Sequence, residues 1–156
     1  MTLAPVRHIV SLGLMALVSA CAAPGAPGTA PGTLAPYQVS GGGIAAPLTT
    51  AKADAARGRA VLASRESNCI LCHAVPETGE RFYGNVGPPL SGVGARLTAA
   101  QMRLRIVDPL YFNKESIMPA YFRVDGLNRV AEPLRGKPVL NAEQIEDVIA
   151  YLLTLK

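Results

Sequence analysis

The chain has 156 residues, enough for one compact domain with an additional tail. Aromatic residues make up 5% and charged residues 17% of it, and its 15 glycines and 13 prolines predict many turns or an irregular segment. The formal charge of +4 is too small for a dedicated nucleic-acid-binding protein, so no nucleic acid is expected as a partner. The three cysteines are too few for a disulfide-stabilised scaffold.

Residues 1–21 have the pattern of a signal peptide. Arg7 and His8 form a short basic region, and the uncharged stretch after them is too short to cross a bilayer. This stretch ends in Val-Ser-Ala-Cys21, which resembles a bacterial lipobox and predicts a lipid anchor at Cys21. Cleavage after Ala22 without lipidation is the alternative, and a buried apolar helix of the fold is a third. Both forms of processing predict export to the periplasm, with or without a membrane anchor.

Residues 22–47 are rich in proline, glycine and alanine and contain no charged residue. Such a segment buries too little apolar surface to offset the entropy lost on ordering, so the composition predicts a linker. Gly41–Gly43 are expected to form a flexible hinge in it. A membrane tether and a tail without function both fit this composition. The folded domain is predicted to span residues 48–156.

The predicted secondary structure of this domain begins with two helices. Residues 51–67 are rich in helix-forming residues, although Gly58 interrupts the pattern and leaves the start of the helix uncertain. Thr98, with Gln101 three residues later, predicts the capping box of a second helix. The Asp108–Pro109 pair is expected to end that helix, because the residue before a proline avoids the helical conformation.

Asn141, with Gln144 three residues later, predicts a third helix. Its apolar residues recur at the helical spacing of a core-facing stripe: Ile145, Val148, Ile149 and Leu152. The segments 74–95 and 110–139 contain many glycines and prolines and predict loops. No strand is predicted. Because three helices make a small core for residues 48–156, we expect an additional group to fill the centre.

Residues 69–73 have the sequence C-x-x-C-H, the attachment signature of c-type haem. Cys69 and Cys72, three residues apart on one helical turn, can form thioethers to the two vinyl groups, and His73 then presents its Nε2 atom to the iron. A thioredoxin-like site is disfavoured because no β-α-β pattern surrounds the motif. A structural zinc site needs further ligands that the processed chain lacks. The motif therefore predicts one covalently bound haem c.

The sixth iron ligand is predicted by elimination. His73 is the only histidine beyond the predicted signal peptide, which excludes ligation by two histidines of the processed chain. Met102 lies inside a predicted helix and is expected to pack in the core. Met118 lies in a loop, and Pro119 restrains the backbone after it. Met118 is therefore the predicted ligand, with loop packing against the haem edge as the alternative. His/Met ligation leaves no open position and favours electron transfer.

Residues 87–90, Gly-Pro-Pro-Leu, resemble the Gly-Pro-x-Leu loop of class I cytochromes c. The resemblance implies that the Pro88 carbonyl accepts a hydrogen bond from His73 and that Leu90 lies against the porphyrin; an ordinary proline-rich turn is the alternative. It implies an all-α, class I cytochrome c-like domain with a single haem and long loops. Four aromatic residues are then expected to cover the haem: Tyr111, Phe112, Tyr121 and Phe122.

Longer segments resemble SoxX, the small monohaem subunit of the sulfur-oxidising cytochrome complex: residues 54–59, 84–96, 105–109, 118–121, 135–138 and 145–152. The resemblance implies a heterodimer with the larger cytochrome SoxA, in a complex that joins thiosulfate oxidatively to a cysteine of the carrier SoxYZ. Such a complex is of the L-cysteine S-thiosulfotransferase type. The resemblance also implies haem residues at Cys69, Cys72, His73 and Met118, and transfer of the accepted electrons to a soluble cytochrome.

The predicted domain has no cysteine outside the haem motif, so we expect an electron-accepting subunit without a catalytic nucleophile of its own. Three alternatives remain at this point: a free-standing monohaem periplasmic carrier, a ligand-binding or peroxidase-like haem protein, and a structural subunit with an inert haem. Segment 110–139 is too long for a plain loop in so small a domain and predicts the partner surface, with haem cover alone as the alternative.

Overall fold

The computed structural model describes residues 34–156; the predicted signal peptide 1–21 and residues 22–33 of the predicted linker lie outside the described residues. The described chain is helical, with one isolated β-bridge and no longer strand, which confirms the all-α class. Its helices are α1 (Ala55–Ala63), α2 (Cys69–Cys72), α3 (Val93–Arg96), α4 (Ala99–Val107) and α5 (Ala142–Leu152), with 3-10 turns at Pro76–Thr78, Pro109–Tyr111 and Glu132–Leu134. None of the helices within residues 34–156 is long and apolar enough to cross a membrane.

Both predicted capping boxes are present. The Thr98 side chain accepts a hydrogen bond from the Gln101 N–H (3.3 Å), and the Gln101 side chain accepts one from the Thr98 N–H (3.0 Å). Asn141 and Gln144 make the same reciprocal pair at the start of α5, at 2.8 and 2.9 Å. Helix α4 ends at Val107, immediately before the Asp-Pro pair that predicted its end.

Helix α1 packs across α5, and Gly58 lies at the crossing. A Cβ atom at this position would lie 1.8 Å from the carbonyl oxygen of Asp147, so no other residue permits this approach of the two backbones. Gly58 does not interrupt the helix: α1 begins at Ala55 and is capped by Asp54, whose side chain accepts from the Arg57 N–H at 2.9 Å. The packing against α5 outweighs the cost of about 1 kcal/mol that glycine imposes on a helix.

The apolar stripe predicted for α5 is buried, and each of its four side chains is at most 5% exposed. The stripe packs in one core with apolar residues from the other helices and from the loops, among them Leu62, Val93, Leu104, Val107, Phe122 and Leu140. This core holds α1, α4 and α5 together.

Ile44 packs against α4, whereas the composition predicted a linker up to residue 47. Ile44 has no exposed surface, and its N–H donates to the carbonyl of Ala100 at 3.0 Å. Its own carbonyl accepts from Arg103 Nη1 at 2.6 Å. A buried isoleucine and backbone hydrogen bonds to α4 offset the ordering entropy of a segment whose average composition is that of a linker.

Arg103 of α4 and Glu146 of α5 form a buried, bidentate ion pair. Their atoms Nε and Oε1 are 2.6 Å apart, and Nη2 and Oε2 are 2.8 Å apart. Glu146 Oε1 also accepts from the Leu48 N–H at 2.9 Å. Two charges tolerate this burial because each is hydrogen-bonded. The pair therefore joins α4, α5 and the segment that precedes α1.

Gly41 and Gly42, predicted as part of a hinge, form a tight turn. Their φ angles are +58° and +74°, and hydrogen bonds of 3.0 and 3.1 Å run in both directions between Ser40 and Gly43. Positive φ at both central positions is what a two-residue type I′ turn requires, and glycine adopts it without strain.

Candidate functional site

Helix α2 is a single turn that carries both cysteines of the C-x-x-C-H motif. The N–H of His73 donates to the carbonyl of Cys69 at 3.0 Å, which closes this turn and makes His73 its C-terminal cap. Asn68 precedes the turn in the left-handed conformation, with φ +53°, and so redirects the chain into α2. As a result, Cys69, Cys72 and His73 all line one cavity.

The loop of residues 84–90 runs beside this motif. Three backbone hydrogen bonds join the two segments: Gly84 to the Ile70 carbonyl (2.8 Å), Gly87 to the Cys72 carbonyl (2.8 Å) and Leu90 to the Ala74 carbonyl (3.0 Å). The loop is therefore held along the whole length of the motif, and its conformation determines which of its groups contact His73.

His73 is oriented by this loop. Its Nδ1 atom lies 2.7 Å from the carbonyl oxygen of Pro88. A Cβ atom at Gly87 would lie 2.4 Å from His73 Cε1, so the loop reaches the ring only because residue 87 is glycine. An imidazole that donates its Nδ1 proton to a carbonyl keeps Nε2 unprotonated, which is the form that binds a metal. Pro88 thus contacts His73 through its carbonyl, as the class I resemblance implies.

Two adjoining cavities lie beside His73. The first, of about 520 Å³, is lined mostly by apolar side chains and includes Leu90 and Met102. The second, of about 530 Å³, reaches Cys72. The two share part of their walls: Cys69, His73, Pro88, Asn113, Ser116, Met118 and Tyr121. Each volume falls in the range of roughly 300–1,000 Å³ that is typical of sites for small ligands and cofactors.

Every predicted site residue lines at least one of these two cavities. Cys69, Pro88, His73 and Met118 line both, Cys72 lines the second, and Leu90 lines the first. Met102 packs in the core, as expected, and its side chain also reaches the first cavity. The site thus offers one imidazole, two thioethers and two thiols on the walls of two adjoining cavities.

The comparison with known proteins identifies the family. The cytochrome c family model matches residues 55–156. A chain of the crystal structure of SoxXA from P. pantotrophus is 35% identical, with a TM-score of 0.70, and the match covers 77% of this chain and 94% of that chain. The chain belongs to the cytochrome c family and is of the SoxX type. It is therefore an electron-transfer subunit with covalently bound haem c. No curated protein matches the sequence significantly.

The walls of the first cavity fit this cofactor. The apolar lining suits a porphyrin, and the only formally charged side chains among the lining residues are Arg96 and Arg105. Two cations suit the two carboxylates of haem, which need counter-charges where water is scarce. Arg96 donates to the carbonyls of Ser91 (2.6 Å) and Pro89 (3.0 Å), which holds it at the wall. These arginines of the cytochrome were not identified from the sequence, because no motif marks which of its arginines reach the cavity.

Arg105 is also packed against an aromatic ring of the cytochrome. Its guanidinium carbon lies 4.3 Å from the centroid of Phe112, and its Nη1 donates to the Gln101 carbonyl at 3.0 Å. Cation–π contact and the hydrogen bond both limit its motion. Contacts within the protein therefore hold Arg105 at the cavity wall.

Of the four aromatic residues expected to cover the haem, Phe112 and Tyr121 line the first cavity, and Tyr111 and Phe122 do not. Tyr111 packs edge-on against Phe112, with ring centroids 5.2 Å apart. Phe122 is buried in the core, where its N–H donates to the carbonyl of Val107 at the end of α4. The backbone of this loop is hydrogen-bonded to the end of α4. As a result, the side chain of Tyr121 lines the cavity and that of Phe122 packs in the core.

Burial raises the pKa of the Cys69 thiol of the unmodified chain and strongly raises that of the Tyr121 phenol. Both groups are therefore protonated near neutral pH. A protonated, partly buried cysteine is a small apolar wall residue and not a reactive thiolate. Cys69 is thus suited to hold the cofactor rather than to attack a substrate.

Proposed function

We propose that this cytochrome is the electron-accepting subunit of a SoxAX-type complex that conjugates thiosulfate oxidatively to a cysteine of a carrier protein. The observation that carries the proposal is that His73 and Met118 line the same two adjoining cavities as Cys69, the second of which also reaches Cys72. The 35% identity to a chain of SoxXA supports the choice of complex. When bound, haem c supplies reversible one-electron chemistry at its iron.

The residues of this chain hold and saturate that iron. Cys69 and Cys72 carry the two thioether attachments, and His73 is presented by the 2.7 Å hydrogen bond to the Pro88 carbonyl. Met118 would supply the second protein ligand, which would leave no coordination position for oxygen or a substrate. Because the C-x-x-C-H motif occurs once in the sequence, one haem is bound.

The thiol chemistry then belongs to the partner. Joining a thiol to thiosulfate forms one S–S bond and releases one proton and two electrons. Both cysteines of the described residues, Cys69 and Cys72, are occupied by haem attachment in the proposed function. This chain accepts the electrons one at a time and passes them to a soluble acceptor cytochrome. The nucleophile and the bond-forming step lie in the SoxA-type subunit and the SoxYZ-type carrier.

An exposed apolar surface at the second cavity suits the electron-transfer partners. Leu71, Val86 and Ile117 line this cavity with Cys72 and are 65%, 64% and 78% exposed. We call these three residues the mouth patch. Apolar side chains grouped on a protein surface are typical of protein interfaces, and this group borders one of the two attachment cysteines. The mouth patch is therefore the proposed docking surface of the SoxA-type subunit, and Ile117 lies within the predicted partner segment 110–139.

The proposed location is the periplasm. Residues 1–21 have the pattern of an export signal, and bacterial haem attachment of this kind takes place outside the cytoplasm. Lipidation of Cys21 would hold the domain at the membrane through residues 22–33. Cleavage after Ala22 would release it instead. Intact-mass spectrometry of the membrane and soluble fractions distinguishes the two forms by the presence or absence of a lipidated Cys21.

Co-purification and reduction test the proposed function. The tagged full-length chain is expressed with a SoxA-type subunit in a host that matures c-type cytochromes. We expect a stable 1:1 complex, in which thiosulfate and a SoxYZ-type carrier reduce the haem of this chain. A chain that purifies alone and is reduced only by unrelated donors would instead be the free-standing monohaem carrier. A colourless chain with both thiols of the C-x-x-C-H motif alkylatable would contradict both functions.

A further inference from the structure

Tyr121 connects the loop of Met118 to the haem-attachment motif. It lies three residues after Met118, is 4% exposed, and lines both cavities. Its hydroxyl donates to the carbonyl of Ser67, two residues before Cys69. The hydrogen bond thus spans from the loop that carries the methionine to the segment that carries the cysteines and His73.

The backbone of Tyr121 is anchored as firmly as its side chain. Its N–H donates to the carbonyl of Ile106 in α4 at 3.1 Å, and its carbonyl accepts from the Leu140 N–H at 3.0 Å. Met118 has a weaker connection, because its N–H reaches only the nearby Ser116 hydroxyl at 3.3 Å. The position of Met118 therefore depends on Tyr121, because only two residues separate them. One of these is Pro119, whose ring restricts the backbone.

The acceptor of the Tyr121 hydroxyl is itself held in place. Ser67 is 1% exposed, and its hydroxyl donates to the carbonyl of Val61 in α1 at 2.6 Å. The carbonyl of Ser67 is therefore restrained by a hydrogen bond that its own side chain makes to α1. A fixed acceptor on one side and a fixed backbone on the other set the separation between Met118 and the motif that contains His73.

We propose that Tyr121 is a positioning residue that keeps Met118 where it can bind the haem iron together with His73. This inference rests on the proposed function, in which both residues are iron ligands. Without the hydroxyl, the loop of Met118 separates more easily from the attachment motif, and an external ligand competes better for the sixth position. Tyr121 touches no iron in this role and acts through the loop.

The test is an imidazole titration of the oxidised, haem-loaded protein, followed by the long-wavelength sulfur–iron absorption band and the main haem band. In Tyr121→Phe we expect imidazole to bind roughly two- to tenfold more tightly than in the parent, the effect of one buried hydrogen bond on an equilibrium. The matched control is Tyr151→Phe. Tyr151 is also buried, and its hydroxyl has no hydrogen-bond partner among the described residues, so we expect no change in imidazole affinity.

A purely structural role would give a different result. In that case Tyr121→Phe would lower the thermal unfolding midpoint, and imidazole affinity at a temperature where the protein is folded would equal that of the parent, which overturns the proposal. If Tyr121→Phe does not load haem, Ser67→Ala provides the second variant. Ser67→Ala removes the side-chain hydrogen bond to Val61 that restrains the acceptor carbonyl, so we expect this variant also to bind imidazole more tightly than the parent. An unchanged imidazole affinity in Ser67→Ala would also overturn the proposal.

Failure of the underlying ligand assignment has its own signature. Met118→Ala defines imidazole binding without competition from the methionine. If the parent lacks the sulfur–iron band and binds imidazole as tightly as Met118→Ala, then Met118 is not the ligand and the proposed function is at fault. If the parent shows the band and only Tyr121→Phe has no effect, the inference about Tyr121 alone is wrong.

Discussion

At the scale of single residues, two methionines compete for the same role. Met102 and Met118 both line the first cavity, but Met102 is 2% exposed within α4 and packs in the core. Met118 lies in a loop, is only partly buried, and also lines the second cavity with Cys72 and His73. A core methionine on a helix has little freedom to approach a ligand, whereas a loop methionine has more, so the geometry favours Met118.

Alanine substitutions separate the two methionines. In Met118→Ala we expect the sulfur–iron absorption band to disappear and the reduced protein to bind carbon monoxide, because the sixth position opens. In Met102→Ala we expect the band to persist, while the free energy of unfolding falls by about 2–5 kcal/mol through loss of core packing. Absorption spectra and urea unfolding of the haem-loaded proteins give both readouts. A band that persists in Met118→Ala and vanishes in Met102→Ala would assign the iron to Met102.

The site residues that could be predicted from the sequence are those whose chemistry depends on local spacing. Cys69, Cys72 and His73 lie within five consecutive residues, so one helical turn brings them together in any fold. Arg96 and Arg105 could not be assigned, because their approach to the cavity depends on how α3 and α4 pack. Local motifs therefore predict the candidate ligands, and packing decides which charged side chains surround them.

At the scale of secondary-structure elements, the same distinction holds. The capping boxes of α4 and α5 could be predicted because each needs only a side chain and a backbone group three residues away. The course of α1 through Gly58 and the packing of residues 34–47 could not. Both depend on contacts with α4 or α5, which come from distant parts of the chain. From composition alone, a close-packed glycine is predicted to interrupt a helix, and a buried segment rich in glycine and proline is predicted to be a linker.

The pair Arg103–Glu146 is a further contact between distant parts of the chain, and its loss should be costly because both side chains are buried. In Glu146→Ala the Arg103 guanidinium and the Leu48 N–H both lose a buried acceptor. We expect the free energy of unfolding of the haem-loaded protein to fall by about 3–5 kcal/mol, as measured by urea unfolding.

The exposed pair Arg135–Glu132 is the matched control for this prediction. Its atoms are also 2.6 Å apart, but the side chains are 68% and 79% exposed, against 4% and 7% for the buried pair. Glu132→Ala should lower the free energy of unfolding by less than about 1 kcal/mol. Equal losses in both variants would mean that burial does not determine the contribution of the pair.

At the scale of the whole molecule, the buried core and the exposed mouth patch consist of different residues. Helices α1, α4 and α5 are held together by the core and by the buried ion pair Arg103–Glu146. The loops that carry Val86 and Ile117 instead expose apolar side chains at the cavity that Cys72 lines. Stability and partner binding are therefore expected to respond to different substitutions.

A charge in the mouth patch should weaken the complex without unfolding the cytochrome. In Ile117→Glu the new carboxylate must be desolvated when the SoxA-type subunit docks, so we expect the dissociation constant to rise at least about tenfold, by the cost of roughly 1–3 kcal/mol for a poorly paired polar group. The matched control is Leu134→Glu, which places the same charge on an exposed leucine of the 3-10 turn Glu132–Leu134, elsewhere in segment 110–139. Pull-down or calorimetry with the purified partner measures both constants, and absorption spectra establish that the haem site is intact. If Leu134→Glu weakens binding and Ile117→Glu does not, the partner docks on the outer part of the segment instead of at the cavity mouth.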